Sequence, residues 1–242
     1  MIVSLLAMSY PVDEHVEDPR VRAARTKRDR TRTALITAAD AAFVAHGWAG
    51  TRIEDIAAAA DVSVATAYNH FPTKHALLAA VYGPHVRILV AQADRDIADG
   101  RPVVHALTDQ IHALARLSRR HRGLTAAFTA AVLDYTVRVS RPPDPADEAD
   151  PRVLAPLPEA LRRLIERGQA TGELHGFPPA VEISGMIINL LLLRSINRDE
   201  RPEVTTALLL KMLFGALRPE LVLCPSAPPF STDAGGERAA PK

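Results

Sequence analysis

Between Thr51 and Phe71 the chain writes two short helices around a turn, "TRIEDIAAAADVSVATAYNHF". Each is too short to persist alone in water, because nucleating a helix costs more than a few turns return. The two must therefore pack on each other and on a longer neighbour. Ile53, Ile56, Ala57 and Ala60 give the first an apolar face, and Val62, Ala67 and Phe71 supply the opposing one. The small residues Ala57, Ala58, Ala60 and Ala65 permit close approach of the two helices. Thr51 and Glu54 read as a capping box for the first helix, and Ser63 as the N-cap of the second. Asp61 stands in the turn, where Asp accepts a left-handed backbone better than most residues. This pattern is a helix-turn-helix.

The flanks complete it. Leu35, Ile36, Ala39, Ala42 and Phe43 recur at helical spacing and predict a helix over 27–46 that Gly47 ends. Thr73 caps a further helix that turns Leu77, Leu78 and Val81 inward, and Gly83-Pro84 is expected to end or kink it. Beyond Pro84 the pattern stays helical, with helices expected near 84–99, 103–121, 123–140, 153–171, 178–197 and 201–217. Aromatics make up only 5% of the chain and no strand alternation of useful length occurs, which favours an all-α protein. The expected organisation is a disordered leader and basic arm at 1–26, a DNA-binding domain at 27–83, a helical domain at 84–218 and a disordered tail at 219–242.

The net charge of +1 conceals an asymmetry. Residues 20–32 carry seven bases against one acid, Asp29, whereas residues 91–242 carry 19 of each sign. A basic arm directly before the first helix is attracted to phosphate. The single Cys, Cys224, excludes an intramolecular disulfide framework and a multi-Cys zinc site. The opening "MIVSLLAMSYPVDEH" has no basic n-region, and its apolar run is too short to span a membrane.

A helix-turn-helix lays its second helix in the major groove with side chains near the N-terminus on base edges. Val64, Ala65, Thr66, Asn69 and His70 are placed for that role, with Val64 and Ala65 suited to a thymine methyl and Thr66 or Asn69 to a hydrogen-bonding edge. The Tyr68 hydroxyl and the Lys74 ammonium suit phosphate oxygens, as do Thr51 and Arg52 at the start of the preceding helix. Ser63, Thr51 and Tyr68 can equally be read as caps and packing residues.

Residues 30–84, with "ALITAADAAFVAHGWAGTRIEDIAAAADVSVATAYNHFPTKHALLAAV", resemble the DNA-binding domain of TetR-type (tetracycline-repressor-like) transcriptional regulators. The features that carry the likeness are Phe43 and Gly47, Thr51 with "IEDIAAAADVS", and "TAYNHFPTKHALL". The resemblance implies that Thr51, Arg52, Thr66, Tyr68, His70 and Lys74 contact operator DNA. The sequence departs at Asp61, where the family usually has Gly, and at Val64, where a basic residue or Pro is common.

The resemblance further implies an all-α protein of about nine helices: a three-helix N-terminal domain with the helix-turn-helix, then a ligand-binding and dimerisation domain. The expected partners are a palindromic double-stranded operator, a small-molecule effector and a second copy of the chain, with no membrane, no cofactor and a cytoplasmic location. "VEISGMIINLLLLRSIN" and "EVTTALLLKMLFGAL" are apolar on most faces, so the helices near 178–197 and 201–217 are the expected dimer surface. His105, Ile111, Phe128, Tyr135, Met186 and Asn189 are the candidates for lining an effector pocket, each also readable as plain core or surface. His105 and His112 share a helix face, but no Cys or carboxylate joins them as a metal site. "RLSRRHRG", 116–123, reads as a solvated helix end that could also attract an acidic ligand.

The function expected is a homodimeric repressor released from its operator by a small molecule. An activator or a ligand-independent regulator is the alternative. A distant one is an enzyme with a His-based site, for which the sequence offers no catalytic motif.

Overall fold

A computed structural model of the chain describes residues 19–218, and these form helices and connecting loops with no strand among them. The helices are α1 (Pro19–Gly50), α2 (Ile53–Ala59), α3 (Val64–His70), α4 (Lys74–Ala98), α5 (Val103–Arg120), α6 (Arg122–Val139), α7 (Pro151–Leu154), α8 (Glu159–Thr171), α9 (Ala180–Asn197) and α10 (Pro202–Leu217). Residues 1–18 and 219–242, on which the expected leader, the expected tail and Cys224 fall, lie outside the described residues.

Local signals explain most of the first half. Gly47 breaks α1 at φ 65°, a left-handed value that Gly adopts without strain. Asp61 takes φ 53° after α2, so that the Val62 N–H donates to the Ala57 carbonyl and the Asp61 N–H to the Ala58 carbonyl. That is a Schellman closure with Asp in the place of the usual Gly. Ser63 Oγ accepts from the Thr66 N–H, and Thr73 Oγ1 from the Ala76 N–H, capping α3 and α4 as expected.

Four expectations need correction. Residues 19–26 continue α1, so the basic arm is helical where it is described. The capping box does not form: Arg52 is the N-cap of α2 and makes no side-chain cap. Pro84 does not end a helix, because α4 runs through it to Ala98 with Val81, Tyr82 and Val86 buried on either side. The helix expected over 153–171 is split into α7 and α8, since Pro156 and Pro158 cannot donate to a helical ladder. Val181, Met186 and Leu193 of α9 lie open within the single chain, together with Val204, Leu208 and Met212 of α10, on the two helices expected to form the dimer surface.

One core joins the whole. Leu35, Phe43, Ile56 and Phe71 hold α1–α4 together, and Leu78 and Tyr82 carry the same core on to Leu107, Leu124, Phe128, Leu161 and Leu213. Among the described residues two helices, α4 and α9, are long and apolar enough by length and composition to cross a membrane; α4 spends most of that apolar surface inside this core.

Candidate functional site

The α2–turn–α3 unit projects a polar and small-residue surface. Val64, Ala65, Tyr68 and Asn69 are exposed, Tyr68 at 45%, while Ala67 between them is buried on α2. Thr66 and His70 are half-buried. Thr66 Oγ1 lies 2.8 Å from Ser63 Oγ, so the two hydroxyls at the start of α3 are coupled. Arg52 is exposed and sits 3.6 Å from Glu54.

The basic stretch of α1 runs beside the end of α3. Arg32 donates to the His70 carbonyl (3.3 Å) and lies over the Phe71 ring (4.3 Å), closing the α3 C-terminus. Burial, then the charges of Arg28 and Arg32, hold the His70 imidazole below the usual His range. Neutral His70 can offer both a donor and an acceptor to a base edge.

Two residues expected to contact DNA make contacts inside the protein. Thr51 is only 3% exposed, and its hydroxyl lies 2.7 Å from the Gly47 carbonyl and 3.1 Å from the Ala42 carbonyl, beside the break in α1. The Lys74 ammonium donates to the carbonyls of Trp48 (2.8 Å) and Thr51 (3.1 Å) and lies 4.0 Å over the Trp48 ring. Burial pushes the Lys74 pKa down, with Asp134 opposing. Thr51 is thus removed as a side-chain phosphate ligand. Lys74 becomes a clamp that ties the start of α4 to the end of α1.

A second cluster joins this head to α6. His75 is 5% exposed and lies between the Trp48 ring (4.5 Å) and the Tyr135 ring (5.1 Å). Its Nε2 is 2.8 Å from Asp134 and its Nδ1 is 3.4 Å from Arg138. That arrangement suits a neutral ring donating from Nε2 to the carboxylate. Burial is the largest influence and holds the His75 pKa below its usual value. Below it, Tyr82 of α4 stacks on Phe128 of α6 at 4.3 Å, with its hydroxyl 3.3 Å from Thr125.

Phe128 also lines a cavity of about 480 Å³ bordered by α6, the α7–α8 turn and α9 and open to solvent on one side. Of the residues expected to line an effector pocket, Phe128 and Asn189 are brought together here. The other four are not. Ile111 is wholly in the core, His105 is exposed on α5, Met186 is 63% exposed on the outer face of α9, and Tyr135 belongs to the His75 cluster, donating to Asp147 (2.6 Å). Sequence reading missed Arg152, Leu157, Glu159, Arg162 and Ser184 of the lining. Only the prolines at 156 and 158 hinted that the chain turns there.

The bases of 116–123 tie two loops together. Arg119 donates to the Glu200 carbonyl (2.7 Å) and Arg122 to the Ile196 carbonyl (2.8 Å), with Asp199 beside both. Among the described residues no group of three or more His, Cys, Asp or Glu could hold a metal ion.

Residues 35–81 match the family model of bacterial regulatory proteins, tetR family. Among solved structures the chain is similar to Thermus thermophilus FadR, a tetR-family transcriptional repressor in complex with lauroyl-CoA, at 22% identity over 82% of this chain and 98% of that one, with a TM-score of 0.60. It is similar to the fatty acid degradation regulator FadR from Bacillus halodurans at 17% identity, over 77% and 96% of the two chains, with a TM-score of 0.57. RolR in complex with resorcinol follows at 21% identity, over 78% and 89%, with a TM-score of 0.51. At these identities the likeness to the solved structures is one of fold.

Proposed function

We propose that this chain, which carries the tetR-family domain in residues 35–81, is a homodimeric, ligand-responsive transcriptional regulator that represses from a palindromic operator in the cytoplasm. The observation that carries the reading is the exposed α3 surface, N-capped by Ser63 and flanked by the basic stretch of α1. Val64, Ala65, Thr66, Asn69 and His70 read base edges. Tyr68 and Arg52, with Lys27, Arg28 and Arg30 of α1, hold phosphates.

The dimer forms through α9 and α10. Their exposed Val181, Met186, Leu193, Val204, Leu208 and Met212 cover one another across a twofold axis. Two heads related by that axis meet successive major grooves, about 34 Å apart.

The effector enters the cavity of α6, α8 and α9. Fold relatives hold lauroyl-CoA and resorcinol, which supports a small-molecule effector here. Phe128 lines the cavity and stacks on Tyr82, and Tyr82 sits in the same helix whose first residue, Lys74, clamps the head. A ligand that favours a different seating of Phe128 therefore biases α4, and with it the spacing of the two heads. The shift is limited by its differential affinity for the two states.

The test is a fluorescence titration of the full chain against DNA from upstream of its own gene, at two salt concentrations. Binding that weakens steeply with salt and protects a palindrome is the expected result. Binding that is indifferent to salt, or absent from a genome-wide duplex selection, would refute the DNA-binding half.

A further inference from the structure

We propose that the cavity between α6, α8 and α9 takes an uncharged, largely apolar molecule and discriminates against anions of the same skeleton. This deepens the effector half of the reading above and rests on it for the ligand's purpose. The walls are Phe128, Val132, Leu157, Ile188 and Leu192, and the volume of about 480 Å³ suits a compact small molecule.

Two cations line the cavity, and both are already committed. Arg152 donates through Nε and Nη2 to the two oxygens of Asp150 at 2.7–3.1 Å, and through Nη1 to the Arg141 carbonyl at 3.1 Å. Arg162 donates through Nε and Nη2 to the two oxygens of Glu159 at 2.8 and 2.6 Å, and through Nη1 to Glu166. Glu159 also accepts from Arg163, whose other end pairs with Asp94. The hydrogen bonds to Arg162, ahead of those to Arg163, hold the Glu159 carboxyl below its usual range.

An entering carboxylate, sulfonate or phosphate finds no surplus positive charge. To take Arg152 as its own countercharge it must compete with Asp150, which is 1% exposed and would be stranded without its partner. Burying an unpaired charge is strongly unfavourable, and removing one member of a buried pair leaves the other as that charge. What remains for recognition is neutral. Thr136 and the amide of Asn189 line the same space and can bond a hydroxyl or carbonyl, whereas the buried Ser184 hydroxyl already donates to the Val181 carbonyl (3.2 Å).

The experiment uses two dyes that share a ring system. N-phenyl-1-naphthylamine is neutral, and 8-anilinonaphthalene-1-sulfonate adds one sulfonate to it. The full chain is titrated with each, and only the component abolished by Gly185→Leu is scored. Gly185 lines the cavity in mid-α9, and a Cβ there meets nothing within 4 Å, so Leu enters the cavity while improving helix propensity. Far-UV circular dichroism and the melting temperature confirm that this variant folds. The neutral dye is expected to bind one site per chain, with the anionic one at least about tenfold weaker. Glu159→Gln, which frees positive charge on Arg162 and Arg163, is expected to narrow that gap several-fold.

Equal or tighter binding of the sulfonate at the Gly185-sensitive site would overturn the proposal, as would no Gly185-sensitive binding of either dye. A chain that shows the expected dye preference but selects no duplex would uphold the cavity's chemistry and remove the regulatory reading.

Discussion

Replacing Lys74 by Met separates two roles that a lysine at this position can play. The ammonium makes two hydrogen bonds, to the Trp48 and Thr51 carbonyls, and covers the Trp48 ring at 4.0 Å. Hydrogen bonds from charged donors contribute about 1.5–3 kcal/mol each, and a partly exposed cation over an aromatic face about 0.5–1 kcal/mol. Lys74 is only half-buried, so the lower ends apply and water recovers part of the loss at the two carbonyls. Met keeps the apolar stem and its packing. The expected destabilisation is therefore about 2–3 kcal/mol, read from urea unfolding followed by circular dichroism. Trp48 is the only tryptophan and reports the same event locally by fluorescence. The salt dependence of DNA binding, measured below the unfolding midpoint, is expected to keep its slope. A loss of stability under about 0.5 kcal/mol, with the log–log salt slope reduced by about one, would refute the clamp and restore Lys74 as a phosphate ligand.

Tyr68→Phe is expected to weaken operator binding by about 1 kcal/mol in a fluorescence titration, with unchanged stability, if the exposed hydroxyl bonds a phosphate; unchanged affinity would assign the ring to packing alone. The folded-state pKa values of His75 and His85 lie below that of an unfolded His, in both cases chiefly through burial. The unfolded chain therefore binds more protons below about pH 6.5. The stabilisation is complete above that pH and is lost as the pH falls through the folded values. Urea midpoints at pH 7.5 and 5.5 are expected to show this loss, and His75→Gln to reduce it; a midpoint that rises on acidification would contradict the assignment. Met186→Glu with Met212→Glu places charge on the open faces of α9 and α10 and is expected to shift sedimentation from dimer to monomer. A dimer that survives both changes would move the interface elsewhere, for instance to the exposed Leu133 and Val137 of α6.

What was legible in the sequence was what the chain encodes locally. Ser63 and Thr73 cap because their hydroxyls need reach only three residues. Asp61 and Gly47 turn because of their own backbone preferences. Thr51 was misread for a related reason. The pattern Thr-x-x-Glu is a good capping box, but the break at Gly47 brings two carbonyls within reach of the same hydroxyl, and these lie behind it in the chain. Propensity sees one missing donor at Pro84 and so predicts an end or a kink, whereas the buried residues on either side hold α4 together. The cavity was least legible. Its lining comes from α6, the α7–α8 turn and α9, and pairs such as Arg163 with Asp94 are 69 residues apart. Periodicity shows which face of a helix is apolar but not which other helix it will meet.

The passage of α4 through Pro84 bears on how the protein can be cut. Domain boundaries elsewhere fall in exposed, loosely held linkers, where proteases nick and chimeras are joined. Here the obvious seam, Gly83-Pro84, lies within a helix, with Tyr82 fully buried against Phe128 and Val86 buried one turn further on. A fragment ending at residue 83 would carry the apolar side of Tyr82 into water and lose the far half of α4. Limited proteolysis is therefore expected to release no stable amino-terminal head. Grafting this head onto another body would need all of α4, together with the stretch of α6 from Thr125 to Arg138 that contacts it.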